Sequence, residues 1–231
     1  MLESAKQPGT GGYTSNVDHD FRIEIIRKLI HLCSLSIPIV YWFVSKQTAI
    51  TILVPLTAAF LIVDLARHYH RQTGRWFYKV FGWLLRKKEQ DERTKRLNGA
   101  TYVVIAALVC VLLFPKVIVV TSFAILILGD STAALVGKRF GTHRFFGKTF
   151  EGSLAFFVSG LVVVALAPKV EYVFSEYLIG AIGAAVGAAV ELLAIHIDDN
   201  LLIPVSVGGV MWLLYALMLP TIDLATICFV A

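Results

Sequence analysis

Charged side chains are scarce in this chain. Asp, Glu, Lys and Arg together make up 16% of its 231 residues, whereas a soluble domain carries about 25%. Hydrophobic residues make up 57%, which is more than one soluble core can bury, so lipid is expected to solvate much of the chain. The net charge of +5 is spread between apolar runs, which argues against a nucleic-acid partner.

Cysteine and targeting signals are also sparse. The three cysteines, Cys33, Cys110 and Cys228, all lie in apolar stretches, which argues against a disulfide scaffold or a Cys-based zinc site. Residues 1–20 are polar and contain no apolar core of a cleavable signal peptide. We expect residues 1–20 to be a flexible cytoplasmic tail and residues 21–231 to be a single multi-pass membrane domain.

Long apolar runs dominate what remains. A membrane-spanning helix needs about 20 mostly apolar residues. Pro38 and Pro55 interrupt the first two runs, and membrane helices tolerate such prolines. The chain is therefore predicted to be an all-α integral membrane protein with about seven transmembrane helices. These segments are 29–45, 47–65, 99–115, 117–137, 153–169, 177–195 and 203–219.

The basic residues predict the orientation of these helices. Eighteen of the 21 lysines and arginines fall in the N-terminal segment and in the connections 66–98 and 138–152. The alternate connections hold three, Lys46, Lys116 and Lys169. The positive-inside rule then places the basic connections in the cytoplasm, in the cell inner membrane if the source is bacterial.

The 66–98 connection is predicted to contain a short amphipathic helix. Its apolar residues recur with helical spacing beside basic residues, which is typical of a helix lying in the membrane interface. A helix packed against the bundle explains the same pattern. His68 and His70 lack a third nearby ligand, so we interpret them as surface residues. The stripe consists of Trp76, Phe77, Val80, Phe81, Leu84 and Leu85.

Polar clusters gather at the cytoplasmic ends of the predicted helices. Arg27, Lys28 and His31 precede or enter the first helix, where they serve as a topology signal or bind phosphate. Asp130 lies roughly 12 Å inside the end of the fourth helix, counted from Lys138 at 1.5 Å per residue. An acid at that depth is costly, which predicts a functional role, although a structural hydrogen bond to a neighbouring helix is the alternative.

Two further clusters suit phosphate and a metal ion. The 137–153 loop combines glycines with Lys138, Arg139 and Lys148, and is predicted to bind a nucleotide. It is not a Walker loop, because five residues separate Gly141 from Gly147 where that motif has four. Near the sixth helix, Gly183 and Gly187 share a face with an acid, and a run of carboxylates and an amide follows. This second group, which suits a hard divalent cation, consists of Glu191, Asp198, Asp199 and Asn200.

Phosphoryl transfer needs a metal ion, cations that bind the phosphates, and a carboxylate that orients or deprotonates a hydroxyl. The sequence offers deep acids, a loop that suits a metal ion and a basic glycine-rich loop at one lipid–water boundary. The sequence also resembles the CTP-dependent lipid-alcohol kinases, which include dolichol kinase, phytol kinase and yeast-type diacylglycerol kinase. The resemblance covers about residues 22–210. Its motifs are Arg27-Lys28-x-x-His31, Asn98-Gly99-Ala100-Thr101, Leu128-Gly129-Asp130, Gly137-Lys138-Arg139-Phe140-Gly141, Lys148-x-x-Glu151-Gly152-Ser153 and Glu191 followed by Asp198-Asp199-Asn200-Leu201-x-Ile203-Pro204.

This resemblance implies transfer of phosphate from CTP to a polyprenol, a phytol-like alcohol or diacylglycerol, with a divalent cation such as Mg²⁺. It also implies that Arg27, Lys28, Asp130 and Gly137 are functionally important. The predicted catalytic residues are Asp130, Glu151 and Asp199. The predicted nucleotide-binding residues are Arg27, Lys28, Asn98, Gly137, Lys138, Arg139 and Lys148. The predicted metal ligands are Asp130, Glu191, Asp198, Asp199 and Asn200.

Two other activities are open at this stage. Phosphatidate cytidylyltransferases also use CTP in a membrane, but Lys148 stands at the wrong distance from Lys138-Arg139, and Thr149 replaces the expected Asp. An ion-coupled transporter would use Asp130 and Glu191 as ion sites. The sequence contains no detectable inverted repeat, which favours the kinase. The acceptor alcohol and the oligomeric state are not determined by the sequence.

Overall fold

A computed structural model describes residues 11–83, 97–145, 147–193, 198–222 and 224. Within these residues the chain forms nine α-helices and one two-stranded hairpin. In chain order they are α1 (Gly11–Cys33), α2 (Ser36–Phe43), α3 (Lys46–Tyr69), α4 (Arg71–Phe81), α5 (Gly99–Leu113), α6 (Lys116–Phe140), β1 (Arg144–Phe145), β2 (Lys148–Thr149), α7 (Phe150–Leu166), α8 (Phe174–Leu193) and α9 (Asp199–Met218).

Helix α6 is the centre of the bundle. It contacts α1, α2, α5, α7, α8 and α9. Its apolar residues Ile118, Phe123 and Leu126 are fully buried. A helix that is apolar around its whole circumference must be covered on every side, so the other helices pack around α6. Asp130 and Ser131, which lie in its C-terminal half, are therefore held in the interior of the protein.

The helices confirm an all-α membrane protein. Four of them, α3, α6, α8 and α9, are long and apolar enough to cross a membrane, and α5 and α7 are shorter apolar helices. All six coincide with predicted spanning segments, shifted by a few residues. The count of seven spans stays a prediction, because two of these helices are short and the first predicted span is not a single helix.

The first predicted span, 29–45, is divided in the structure. Helix α1 ends at Cys33 and α2 begins at Ser36. Pro38 has no N–H to donate to the Ser34 carbonyl, so a continuous helix would leave that carbonyl without its partner. Instead, Ile37 N donates to Ser34 O at 2.9 Å in a tighter turn. Pro55, by contrast, lies inside α3 without ending it.

Helix α1 extends into the predicted N-terminal tail, residues 1–20, whose flexibility stays a prediction. The helix begins at Gly11, so residues 11–20 are helical. Once a helix has formed, each further residue adds a hydrogen bond at little cost, and no proline interrupts 11–33. Residues 1–10 lie outside the described residues.

The amphipathic segment contains the predicted helix, and part of its stripe packs against the bundle. Helix α4 contacts α3. Phe77 is buried while Trp76 is exposed, and the Arg67 guanidinium lies 5.0 Å from the centre of the Phe77 ring. The first residues of the predicted 66–98 connection belong to α3, which continues to Tyr69. Leu84 and Leu85 lie outside the described residues.

A small hairpin, which the sequence analysis did not predict, joins α6 to α7. Arg144 pairs with Thr149 and Phe145 pairs with Lys148 in antiparallel register. Gly147 has a φ of 86°, a conformation that glycine adopts without steric cost. Strands of two residues are too short to show an alternating hydrophobic pattern. The hairpin is important because it carries Lys148.

Candidate active site

Asp130 of α6 is paired with the first helix. Its Oδ2 atom lies 2.5 Å from Lys28 Nζ and 3.5 Å from His31 Nε2, both of α1. The Asp130 and Lys28 side chains are both buried. This pairing agrees with the predicted depth of Asp130, and it joins two motifs that lie 102 residues apart in the chain.

A second contact fixes α1 against the end of α6. Glu24 Oε2 lies 2.8 Å from Lys138 Nζ and 3.2 Å from Arg27 Nη1. Glu24 is buried, and the Lys138 side chain is 42% exposed. Two predicted phosphate-binding cations therefore converge on one acid that the sequence analysis did not single out.

Lys148 of β2 lies between two acids from different helices. Its Nζ atom is 2.8 Å from Glu191 Oε1 of α8 and 3.1 Å from Asp199 Oδ2 of α9. The other oxygen of Glu191 accepts a hydrogen bond of 2.7 Å from Ser153 Oγ of α7. The three elements α7, α8 and α9 thus meet at one polar cluster, which brings together the predicted residues Lys148, Glu191 and Asp199.

Electrostatics connect this cluster to Asp130. Burial by itself would lower the pKa of the Lys148 ammonium, but the negative charges of Asp199, Glu191 and Asp130 outweigh it and raise that pKa above its ordinary value. Lys148 therefore stays charged over the whole physiological pH range. Asp130 is the last and smallest of these contributions.

Small residues allow the helices around this site to approach closely. A Cβ atom on Gly129 of α6 would lie 2.6 Å from the Phe156 ring of α7, and one on Gly187 of α8 would lie 2.9 Å from the same ring. Phe156 is fully buried. The predicted close-packing face of α8 is thus confirmed, with Gly183, Gly187 and Glu191 all buried.

Gly137 has a packing role as well. A Cβ atom there would lie 2.6 Å from Thr149 Oγ1, and one on Gly152 would lie 2.8 Å from the carbonyl oxygen of Ala133. Thr149 caps α7 by accepting from Gly152 N at 3.2 Å. Glycine at both positions lets the ends of α6 and α7 meet beside the hairpin. Contact between Gly137 and a nucleotide stays a prediction, as it does for the exposed Arg139.

Glu151 lies in a separate group of side chains. Its Oε1 atom accepts from Thr142 Oγ1 at 2.5 Å and lies 2.7 Å from His143 Nδ1. His143 N also donates to it at 3.1 Å. These bonds close the base of the hairpin, so the structure gives Glu151 a positioning role in the loop. Its predicted part in catalysis stays a prediction.

The predicted metal ligands are only partly assembled. Asp198 Oδ1 caps α9 by accepting from Asn200 N at 3.1 Å and from Asn200 Nδ2 at 2.8 Å. Glu191 and Asp199 meet at Lys148, whereas Asp130 is paired with Lys28. Among the described residues, no three or more His, Cys, Asp or Glu side chains form a group that could hold a metal ion.

Asn98 caps the N-terminus of α5 and donates a hydrogen bond to a further buried ion pair. Its side chain caps the helix by accepting from Thr101 N at 2.9 Å, and its own N–H donates to Asp64 Oδ2 at 2.7 Å. Asp64 Oδ1 in turn lies 2.5 Å from Arg67 Nε, and both side chains are fully buried. Nucleotide binding by Asn98 stays a prediction, since its side chain is used as a helix cap.

Sequence reasoning missed Glu24, and it missed the Asp64–Arg67 pair. The signal for Glu24 was present, because it shares one helix face with Arg27, Lys28 and His31 at spacings of three, four and seven. Asp64 and Arg67 are three residues apart inside an apolar run, where an acid and a base of opposite charge predict a buried pair.

Two uncharacterised proteins are similar to most of this chain. The chain is 32% identical over 189 residues to an uncharacterised protein of Rickettsia prowazekii, covering 81% of this chain and 92% of the relative. It is 31% identical over 193 residues to an uncharacterised protein of Methanocaldococcus jannaschii, covering 80% and 91%. The chain belongs to the family of these two proteins. No family model matches the chain, and no solved structure matches it.

Two more distant relatives are named as lipid kinases. A CTP-dependent diacylglycerol kinase of Schizosaccharomyces pombe is 27% identical over 167 residues, covering 65% of this chain and 74% of the relative. A protein of Triticum aestivum named "Probable phytol kinase, chloroplastic" is 27% identical over 158 residues, covering 62% of this chain and 52% of the relative. Both names fall within the group of kinases that the sequence motifs resemble.

Proposed function

We propose that this protein is a CTP-dependent kinase that transfers the γ-phosphate of CTP to the hydroxyl group of a membrane lipid alcohol. The observation that carries the proposal is a pair of ion clusters, Lys28 with Asp130 and Lys148 with Glu191 and Asp199, at one end of an apolar helical bundle. Two distant relatives named as lipid kinases support the reaction class. The acceptor would be a polyprenol, a phytol-like alcohol or diacylglycerol.

The cations at this end of the bundle would bind the triphosphate. Lys28, Lys138 and Lys148 lie on three different elements, and each is held by a carboxylate. Ammonium groups are well suited to neutralise phosphate oxygens, and bound phosphate would draw them away from their acids. Arg27 and Arg139, which are neighbours of Lys28 and Lys138 in the chain, would add positive charge at the same end.

Asp130 would then act on the acceptor. Its carboxylate lies on the central helix and is buried inside the bundle, away from bulk water. The hydroxyl oxygen attacks the γ-phosphorus, its proton passes to Asp130, and the bond to the β-phosphate oxygen breaks to release CDP. The buried position excludes water, which would otherwise compete as the acceptor.

A divalent cation, most simply Mg²⁺, is implied by the kinase resemblance. Mg²⁺ is commonly held by one or two carboxylates together with substrate phosphates. Glu191 and Asp199 fit this requirement, because an oxygen of each lies within 3.1 Å of one point, the Lys148 ammonium. The cation would neutralise charge on the transferring phosphate. Asp198 and Asn200 would support it by starting α9 in the correct place.

We further propose that this end of the bundle faces the cytoplasm, where CTP is available. The basic connections carry eighteen of the 21 lysines and arginines, and the positive-inside rule places such connections in the cytoplasm. Lys28, Lys138 and Lys148 of the site belong to this set. The protein would thus bind its two substrates from the cytoplasm and from the membrane.

The test uses purified protein with CTP labelled in turn on the γ- and α-phosphates. With a long-chain alcohol or diacylglycerol, the γ-label should pass to the lipid and CDP should form, and CTP should exceed ATP as the donor. The matched blank omits the acceptor. A cytidylyltransferase would require phosphatidate, transfer the α-label and release pyrophosphate. Pyrophosphate as product, or intact CTP with every alcohol tested, would contradict the kinase proposal.

A further inference from the structure

The Lys148 ammonium lies where two buried acids meet. Glu191 and Asp199 are 4% and 7% exposed, and their oxygens are 2.8 Å and 3.1 Å from Lys148 Nζ. Two carboxylates this close in the protein interior repel each other unless a cation lies between them. Lys148 therefore supplies the positive charge that lies between the two acids.

The acids are fixed in place, and the lysine is the partner that can move. Glu191 and Asp199 project from the long helices α8 and α9. Ser153 holds the second oxygen of Glu191 at 2.7 Å. Lys148, by contrast, has a flexible four-carbon stem on a two-residue strand that follows Gly147, and its side chain is 31% exposed. If the salt bridges of this cluster change, we therefore expect Lys148 to move and the two acids to stay in place.

We propose that Lys148 is a resident counter-ion that occupies the cation position of Glu191 and Asp199 until a nucleotide arrives. This proposal rests on the proposed function. The phosphate oxygens of the triphosphate draw the Lys148 ammonium away, and the divalent cation takes the place of the ammonium between the two acids. The total positive charge beside the acids never falls to zero, so no step leaves two buried carboxylates unpaired.

This exchange makes cation binding depend on nucleotide binding. A divalent cation that arrives alone must compete with an ammonium already held by two carboxylates. Once the triphosphate supplies a new partner for Lys148, that competition ends, and the cation gains phosphate oxygens as additional ligands. Water reaching the site without nucleotide would then meet no assembled metal centre.

The test measures binding of Mn²⁺ alone to the full-length protein, without nucleotide or lipid, from the electron paramagnetic resonance signal of free Mn²⁺. Lys148→Met removes the ammonium and keeps the length of the stem, so it should bind Mn²⁺ at least about tenfold more tightly than the unaltered protein. Lys148→Gln, run in parallel, should show the same gain. Lys148→Arg keeps the positive charge and should bind as weakly as the unaltered protein.

Two controls locate the effect. Lys138→Met removes an ammonium paired with Glu24 instead, and should leave Mn²⁺ binding unchanged. Adding Glu191→Gln to Lys148→Met should abolish the gain. The proposal is overturned if the unaltered protein already binds Mn²⁺ as tightly as Lys148→Met, if Lys148→Arg matches Lys148→Met, or if the gain survives the loss of Glu191.

These outcomes are separable from the proposed function. No phosphate is transferred in the Mn²⁺ measurement, so a protein that failed to phosphorylate any alcohol could still show the exchange. Conversely, an active CTP-dependent kinase whose Mn²⁺ binding did not respond to Lys148 would contradict only the exchange.

Discussion

The two ends of the bundle use charged residues in different ways. At the site end, acids of α6, α8 and α9 pair with ammonium groups from α1 and the hairpin. At the opposite end, lysines donate to carbonyl oxygens at the C-terminal ends of other helices. Each lysine makes at least one such bond: Lys46 to Leu112 at 3.1 Å, Lys116 to Val44 at 2.8 Å and Lys169 to Ala167 at 2.8 Å.

The buried acid at the opposite end is also held by hydrogen bonds from neutral groups. Glu176, which is fully buried, accepts from Val170 N at 2.8 Å, from Glu171 N at 3.0 Å and from Tyr215 Oη at 2.9 Å. These donors hold the loop before α8 against α9. All three donors are neutral groups. None of them is a cation that could leave Glu176 to pair with a phosphate.

The difference agrees with the proposal that the site lies at the end where the salt bridges are. Carbonyl oxygens and N–H groups at helix ends need hydrogen-bond partners in every state of the protein. We therefore expect the lysines and Glu176 at the opposite end to keep these hydrogen bonds throughout. A salt bridge between side chains can be exchanged for a substrate phosphate or a metal ion without breaking a helix. Exchangeable partners of this kind are what a site for phosphate and a metal ion requires.

The largest effect is expected for Asp130→Asn. The substitution keeps the shape of the side chain but removes the proposed proton acceptor, so turnover should fall about a thousandfold. Lipid phosphate formed from γ-labelled CTP measures the loss, and gel filtration checks that the bundle remains intact. Glu176→Gln, a matched change of a buried acid at the opposite end, should keep turnover within about twofold. Equal losses in the two variants would end the distinction between the ends.

A smaller effect is expected for Asp199→Asn. One of the two carboxylates proposed to hold the divalent cation becomes neutral, so the Mg²⁺ concentration for half-maximal turnover should rise about tenfold. High Mg²⁺ should restore most of the turnover, which would not occur if the variant had merely misfolded. Asp198→Asn is the control, because its role is to cap α9. A normal Mg²⁺ requirement in Asp199→Asn would remove Asp199 from the cation site.

The sequence predicted the helices well because their signals are local. Apolar runs of spanning length, the depth of Asp130 and the segregation of lysines and arginines are all properties of short windows. The small-residue face of α8 was predicted from spacing alone and is confirmed by the contact of Gly187 with Phe156. The order of the six apolar helices α3 and α5 to α9 followed from these windows.

The pairings within the site could not be predicted in the same way. Lys28 and Asp130 are 102 residues apart, and Lys148 and Asp199 are 51 apart, so only the packing of helices brings them together. The Lys148 hairpin was missed because its strands have two residues each. Asn98 and Glu151 were chosen from motifs that resemble the kinase family, but their hydrogen bonds are local, to a helix start and to a hairpin.

The smallest effect on activity, and a clear one on stability, is expected for Glu176→Gln. A glutamine side chain offers one acceptor oxygen, and its amide nitrogen would face a backbone N–H of Val170 or Glu171. One buried N–H then loses its partner, which should cost about 2 kcal/mol of stability. Thermal unfolding of the purified protein in detergent measures the loss. Glu171→Gln, on the exposed side of the same loop, should unfold at the temperature of the unaltered protein. If Glu176→Gln unfolded normally but lost turnover, the acid at this end would belong to the chemistry, and the comparison between the two ends would fail.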